Sequence, residues 1–178
     1  QESMDSIKSG FDDVVHSGAL AHETLRGVKF VLNHFVPHED PAHRGLAQLM
    51  PATRRSMLGA MLIADPVLLE PILGIEVKCP QEQIGIVAGI LSGKRGKLLN
   101  VDQKGVIAIM QGEVPASETF DLSEVMRGGT AGKALWSTYF KSWQAVPQSV
   151  IRTLIADVRK RKGLNPEPPS PDEFIDKE

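Results

Sequence analysis

The chain is poor in cysteine. Its single thiol, Cys79, excludes an internal disulfide framework and fits a reducing, cytosolic setting. It also lacks a dominant sign of charge. Twenty Lys and Arg stand against 22 Asp and Glu, so the formal net charge is −2 and there is no global signature of nucleic-acid binding. No apolar run approaches the roughly 20 residues of a membrane span. No charged-then-apolar leader opens the sequence, and there are no internal repeats. The phosphate-cradling pattern Gly-x-x-x-x-Gly-Lys-[Ser/Thr] is missing, and Gly93-Lys94-Arg95-Gly96 is too short to replace it. No nucleotide cofactor, metal or catalytic residue is therefore expected in these 178 residues. The first Met stands at position 4, after Gln1-Glu2-Ser3, as in a piece of a longer protein.

What is present is an ordinary apolar content, 42%, arranged in helical and strand periods. Ile7, Phe11, Val14 and Val15 predict an amphipathic helix over Met4 to Ser17, stopped by Gly18. Arg26 to Val36 reads as a strand through Val28, Phe30 and Leu32. A long helix then runs to about Asp65, with Leu46, Leu49, Met50, Thr53, Met57, Ala60 and Met61 inward and Pro51 in its first turn or at a kink. Leu73, Ile75 and Val77 alternate as a strand ending near Cys79, a structural thiol with no base beside it. Pro80 reads as a domain boundary.

The second half predicts a helix over Gln81 to Ser92 and a hairpin of Lys97–Val101 with Val106–Val114. A helix from Leu122 to Arg127 and a strand over Ala134–Trp143 follow. With the strand at 73–77 this is β-α-β-β-α-β, the ferredoxin-like split βαβ order. The pattern leaves open which sheet takes that first strand. A last helix through Val150, Ile151, Leu154, Ile155 and Val158 ends in Arg159-Lys160-Arg161-Lys162-Gly163. That run suits a helix C-terminus and a solvated face. Asp172-Glu173-Phe174-Ile175 forms an acidic tail with an apolar anchor.

The chain turns on His38-Glu39-Asp40-Pro41-Ala42-His43-Arg44-Gly45, a polar loop tip between two rigid elements. Pro37 and Pro41 keep it out of both neighbours, and loops so placed carry function. The alternative is a solvated turn with incidental histidines.

That loop through Gln48, with Arg26-Gly27-Val28, Glu70-Pro71-Ile72, Lys94-Arg95-Gly96 and Arg159-Lys160-Arg161-Lys162-Gly163-Leu164, resembles the C-terminal part of archaeal and eukaryotic elongation factor 2. That family is the GTP-hydrolysing ribosomal translocase. The order and spacing fit over essentially the whole chain, and the short tail resembles the archaeal form. Leu46-Ala47 departs from the two glycines of the eukaryotic loop, which stiffens the start of the next helix.

The resemblance implies an α+β fold of two αβ domains. Residues 1–79 would be the later part of domain IV, a partial ribosomal-protein-S5-like domain with a left-handed βαβ crossover and the tip loop at 37–45. Residues 80–146 would be domain V, a ferredoxin-like sandwich, and residues 147–178 a C-terminal helix and acidic tail packing back on domain IV. His43 falls on the position converted to diphthamide. His38, Asp40, His43, Arg44 and Gly45 become tip-loop RNA contacts. Lys94, Arg95 and Lys97 become candidate ribosome contacts, with a solvated turn as their alternative. The implied partners are the ribosome, with its RNA and stalk-base proteins, the transfer RNA–messenger RNA duplex, diphthamide-synthesis enzymes and ADP-ribosylating toxins. No membrane is implied, and the setting is cytoplasmic. GTP and Mg2+ would belong to a domain outside these residues.

Two rivals remain. One uses His34, His38 and His43 as metal ligands, although no Cys or Glu completes a compact set. The other makes the second half a free-standing ferredoxin-like RNA-binding module. Its central strand, Val106 to Val114, has none of the stacking aromatics such modules use.

Overall fold

The computed structural model describes residues 2–174. Its helices and strands are, in order, α1 (Glu2–His16), α2 (Leu46–Ile63), β1 (Leu69–Pro80), α3 (Ile84–Gly93), β2 (Lys97–Lys104), β3 (Ile107–Pro115), α4 (Leu122–Gly129), β4 (Leu135–Ala145) and α5 (Gln148–Arg161). They form two compact units. One runs to Leu68 and resumes at Pro147; the other is Leu69–Val146. No helix among the described residues is long and apolar enough to cross a membrane.

The Leu69–Val146 unit is a four-stranded antiparallel sheet in the order β2-β3-β1-β4. That is the ferredoxin-like arrangement expected from β-α-β-β-α-β. β1 sits at its centre. Ile72 to Pro80 pair with Pro115 to Ile107 of β3 on one side, and Leu69 to Lys78 pair with Ala145 to Leu135 of β4 on the other. Alternation places Ile75, Val77 and Cys79 on the face that packs with Ala108, Met110 and Val114. Val87 and Leu91 of α3 and Leu122 and Met126 of α4 cover that face.

This corrects the expected domain boundary at 79/80. Both edges of the strand at 69–80 are occupied within this one sheet, so the boundary falls at Leu68/Leu69. Pro80 ends a strand and does not separate domains. Local pattern could not reveal this, because alternation identifies a strand but not its partner.

The other unit contains no strand among the described residues. The expected strand over 26–36 is absent, and with it the βαβ crossover. Its intended partner lies in the other sheet, and a lone strand leaves its N–H and C=O groups without a ladder. Gly27, at φ +67, also bends the segment away from extended geometry. Phe30 reaches the core and meets Phe11 edge-on at 6.3 Å, while Val28, Val31, Leu32 and Val36 are exposed.

α1 and α2 pack closely. The buried line of α1 is Ser6, Gly10 and Val14, where the apolar stripe had suggested Ile7, Phe11, Val14 and Val15. A Cβ on Gly10 would lie 2.8 Å from Thr53 Cβ and 2.9 Å from the Met50 carbonyl, so only glycine lets the helices approach this far. Asp13 and Arg54 pair at 3.2 Å between the two helices. On α2 only the distal half is buried, at Met57, Leu58, Gly59 and Met61. Leu46 and Ala60, both expected inside, are exposed. Phe174 packs over Gly59 and supplies the apolar anchor of the tail; Ile175 lies outside the described residues. Pro51 is inside α2, in its second turn, and removes the donor to the Ala47 carbonyl.

The basic run of α5 holds a loop. Arg159 is buried and donates through Nη1 to the carbonyls of Ala19 (3.2 Å) and Leu20 (2.9 Å), and through Nε to that of Asn165. Lys162 Nζ donates to the carbonyls of Ala21 (3.0 Å) and His22 (2.6 Å) and to Glu23 Oε1 (2.6 Å). Position 22, in this loop, has φ +50.

His22 is held below its ordinary value of 6.5, first by burial and then by Arg159, Arg54 and Lys162, with Asp13 opposing. The unfolded chain therefore takes up the proton more readily than the folded one. Stability from this group is complete above about pH 6.5 and is lost as the pH falls below it through the depressed value. His22→Asn, which tolerates positive φ, should flatten the pH dependence of the melting temperature between pH 7 and pH 5. An unchanged slope would rule out His22 as its source.

Candidate functional site

The tip loop folds on itself. Pro41–His43 forms one 3-10 turn, with Pro41 at its first position and Asp40 as its N-cap. Asp40 Oδ1 accepts from the Ala42 N–H at 2.9 Å. The His43 N–H donates to the Asp40 carbonyl at 3.1 Å, and the Arg44 N–H to that of Pro41 at 3.0 Å. The Asp40 N–H donates to His38 Nδ1 at 3.0 Å, which places the proton of the neutral His38 ring on Nε2. Arg44 turns back, its Nε donating to the His38 carbonyl and its Nη2 to that of Glu39 at 2.7 Å.

These bonds bring His38 and His43 together, with ring centroids 4.7 Å apart and planes tilted by 58°. His43 Nε2 lies 4.0 Å from Asp40 Oδ2, and both side chains are more than half exposed, so this pair contributes little to stability. Gly45 caps α2, its carbonyl accepting from Gln48 N–H at 3.1 Å and Leu49 N–H at 3.0 Å. His38, Asp40, His43, Arg44 and Gly45 thus form one surface feature. His43 faces solvent, while Arg44 is half-buried against the loop backbone.

Lys94, Arg95 and Lys97 do not behave as a set. Lys94 Nζ lies 2.5 Å from both oxygens of Asp121 and holds that carboxyl below its ordinary value. Arg95, at φ +51, makes a bidentate pair with Glu70 at 2.8 and 2.9 Å and a further bond to Glu118 at 2.7 Å. The Glu70 side chain is only 8% exposed. Bonding to Glu70 also raises the Arg95 pKa. Two carboxylates face Arg95 and one faces Lys94, so of these three only Lys97 is an exposed cation with no ion-pair partner among the described residues. The motif Lys94-Arg95-Gly96 has a structural reason at each position. At Gly96 a Cβ would meet the Leu91 carbonyl at 2.6 Å.

Sequence reasoning missed the Arg95–Glu70 pair and the Arg44 bonds. A single Glu in the apolar stretch 66–75 was the available signal for the first, because a buried carboxylate needs a cationic partner. Among the described residues no group of three or more His, Cys, Asp or Glu is placed to hold a metal. On the sheet's open face the Tyr139 ring lies over Gly74, where a Cβ would clash at 2.3 Å.

Arg95→Met should destabilise the Leu69–Val146 unit by roughly 2–3 kcal/mol in urea unfolding. That is below the ~3–5 kcal/mol of a fully buried pair, because the guanidinium is partly exposed. A change under about 0.5 kcal/mol, the range of surface substitutions, would contradict the structural role.

Residues 1–65 match the family model described as elongation factor G, domain IV, and residues 67–154 that of the elongation factor G C-terminus. The chain is 57% identical over its full length to elongation factor 2 of Cenarchaeum symbiosum, and 47% identical over 98% of its length to that of Staphylothermus marinus. It spans 24% of each of those proteins. A crystal structure of a Thermus thermophilus protein superposes with a TM-score of 0.73 at 26% identity, covering 89% of this chain and 24% of that one.

Proposed function

Because the chain belongs to the family of elongation factors G and 2, matching its domain IV and C-terminal models, we propose that it serves the translocation step of protein synthesis. In this reading it is part of a longer cytoplasmic GTPase. The tip loop holds the transfer RNA–messenger RNA duplex while the ribosome moves, and the Leu69–Val146 unit meets ribosomal RNA and stalk-base protein. GTP and Mg2+ act in another part of the parent, and these 178 residues carry out no hydrolysis themselves.

The observation that carries this reading is His43, exposed at the head of a turn that is braced by its neighbours in the loop. RNA duplexes are recognised by shape, 2′-hydroxyls and phosphates, which suits a compact head of short polar groups. Glu39 and Asp40 outnumber Arg44, so with neutral histidines the loop carries a formal charge of −1. That is unfavourable beside phosphate. Conversion of His43 to diphthamide by the synthesis enzymes of the family would add a fixed positive charge where the loop needs one. The same group would be the target of ADP-ribosylating toxins. His43 then positions RNA and does not act as a base. In the second unit, Lys97 is the cation left free for phosphate, while Lys94 and Arg95 brace the turn that presents it.

The test is the full-length factor with His43→Ala, measured for melting temperature, ribosome-stimulated GTP turnover and single-round translocation. Stability should change by no more than about 0.5 kcal/mol, and GTP turnover should stay close to wild type. Translocation should slow severalfold, and toxin modification should be lost. Loss of GTP turnover with unchanged translocation per hydrolysed GTP would sink the reading. The intact mass of protein from its native source, with the 38–48 peptide mapped, checks the modification.

A further inference from the structure

The inference concerns Arg44 and rests on the reading of His43 as the presented residue, which it deepens. We propose that Arg44 is a positioning residue. Its guanidinium locks the tip loop in the turn that presents His43, and it is not itself the group that grips RNA.

The hydrogen bonds divide into two sets. Those from Asp40 to Arg44 close the 3-10 turn locally. They do not tie the turn to the chain that enters it. Among the described residues two sets of hydrogen bonds make that link, beside the His38–His43 ring contact: the Asp40 N–H on His38 Nδ1, and the Arg44 side chain on the carbonyls of His38 and Glu39. The first rests on a single acceptor, one histidine ring nitrogen. The second uses a planar fork with two donors in fixed relation. Arg44 therefore closes the segment 38–44 into a ring and brings the His38 ring to 4.7 Å from that of His43.

A direct RNA ligand would present its guanidinium edge outward. Here Nε and Nη2 are turned onto the loop's own backbone, and Arg44 is less exposed than Glu39, Asp40 or His43 beside it. Carbonyl partners satisfy donors without cancelling charge. Arg44 thus keeps its positive field next to His43 while spending its geometry on the loop, unlike Arg95, whose partners are carboxylates. A partner that binds or modifies His43 then meets an already formed turn, which lowers the ordering cost of binding.

The experiment compares the 178-residue chain with Arg44→Met and Arg44→Lys by NMR and thermal melting. Arg44→Met keeps the length of the side chain and removes its donors. It should abolish the inter-ring contacts between His38 and His43 and lower the heteronuclear NOE of the amides from 39 to 44. The melting temperature should move by less than about 2 °C, as for a surface change. Arg44→Lys keeps the charge without the fork and should restore the ring contacts only in part. An ordered loop in Arg44→Met would overturn the proposal, and so would full rescue by lysine or a large fall in melting temperature. No ribosome enters these measurements. A loop that stays ordered in Arg44→Met beside a defective His43→Ala factor would refute only the positioning role. Loss of loop order beside a normally translocating His43→Ala factor would refute only the proposed function.

Discussion

Backbone carbonyls that no helix or strand claims must find donors, and in the unit running to Leu68 and resuming at Pro147 they find them on cationic side chains. With no sheet among its described residues, this unit supplements the local backbone bonds of its irregular segments with bonds from cationic side chains. Arg159 and Lys162 hold the loop from Ala19 to His22. Arg44 does the same for His38 and Glu39. Such bonds are charge-assisted and stronger than neutral ones. They also hold a loop in place without placing a second charge there to be neutralised. The basic run of α5, which reads as a solvated helix end, is therefore an internal fastening at two of its four cationic positions. Lys160 and Arg161 remain on the exposed side.

The Leu69–Val146 unit meets the same requirement differently. Its sheet satisfies the backbone, and its cations pair with carboxylates: Arg95 with Glu70 and Glu118, Lys94 with Asp121, and Lys141 with Glu113. Glu70 stands at the start of the central strand and Arg95 in the turn between α3 and β2. Their bond joins two places 25 residues apart in sequence. The consequence for function is a reduced surface charge at the turn that sequence marks as basic. Lysines and arginines that look alike in a sequence therefore differ here in whether their charge is still available to an anion.

The support beneath the tip is graded along α2. The half nearest Ile63 is buried against α1 and Phe174, whereas residues 46–50 are exposed or half-buried. Gly10 against Thr53 gives the two helices a close approach midway. The loop thus stands beyond the packed region on a helix anchored at its far end. Its own hydrogen bonds must order it, because few side chains from the core reach it.

Local chemistry was legible from the residues alone. Periodicity identified each helix and all four strands of the ferredoxin-like sheet, because apolar spacing of 3.6 or 2 follows directly from which face is buried. The two prolines and the glycine marked the tip, whereas His43 within it was singled out only by the resemblance to a known family. Partnership was not legible. The run at 26–36 has the composition of a strand yet stays unpaired, since a strand exists only where another chain segment accepts its hydrogen bonds. The strand at 69–80 pairs within the second sheet, so Pro80 closes a strand where a boundary was expected. The stripe on α1 favoured Phe11, but the closest approach chose Gly10, because helix separation depends on the smallest side chain at the crossing. Arg44 and Arg95 were legible as cations, but their roles were not. Whether a guanidinium faces a phosphate, a carboxylate or a carbonyl depends on what the fold brings within about 3 Å of it, and only the tertiary structure decides that.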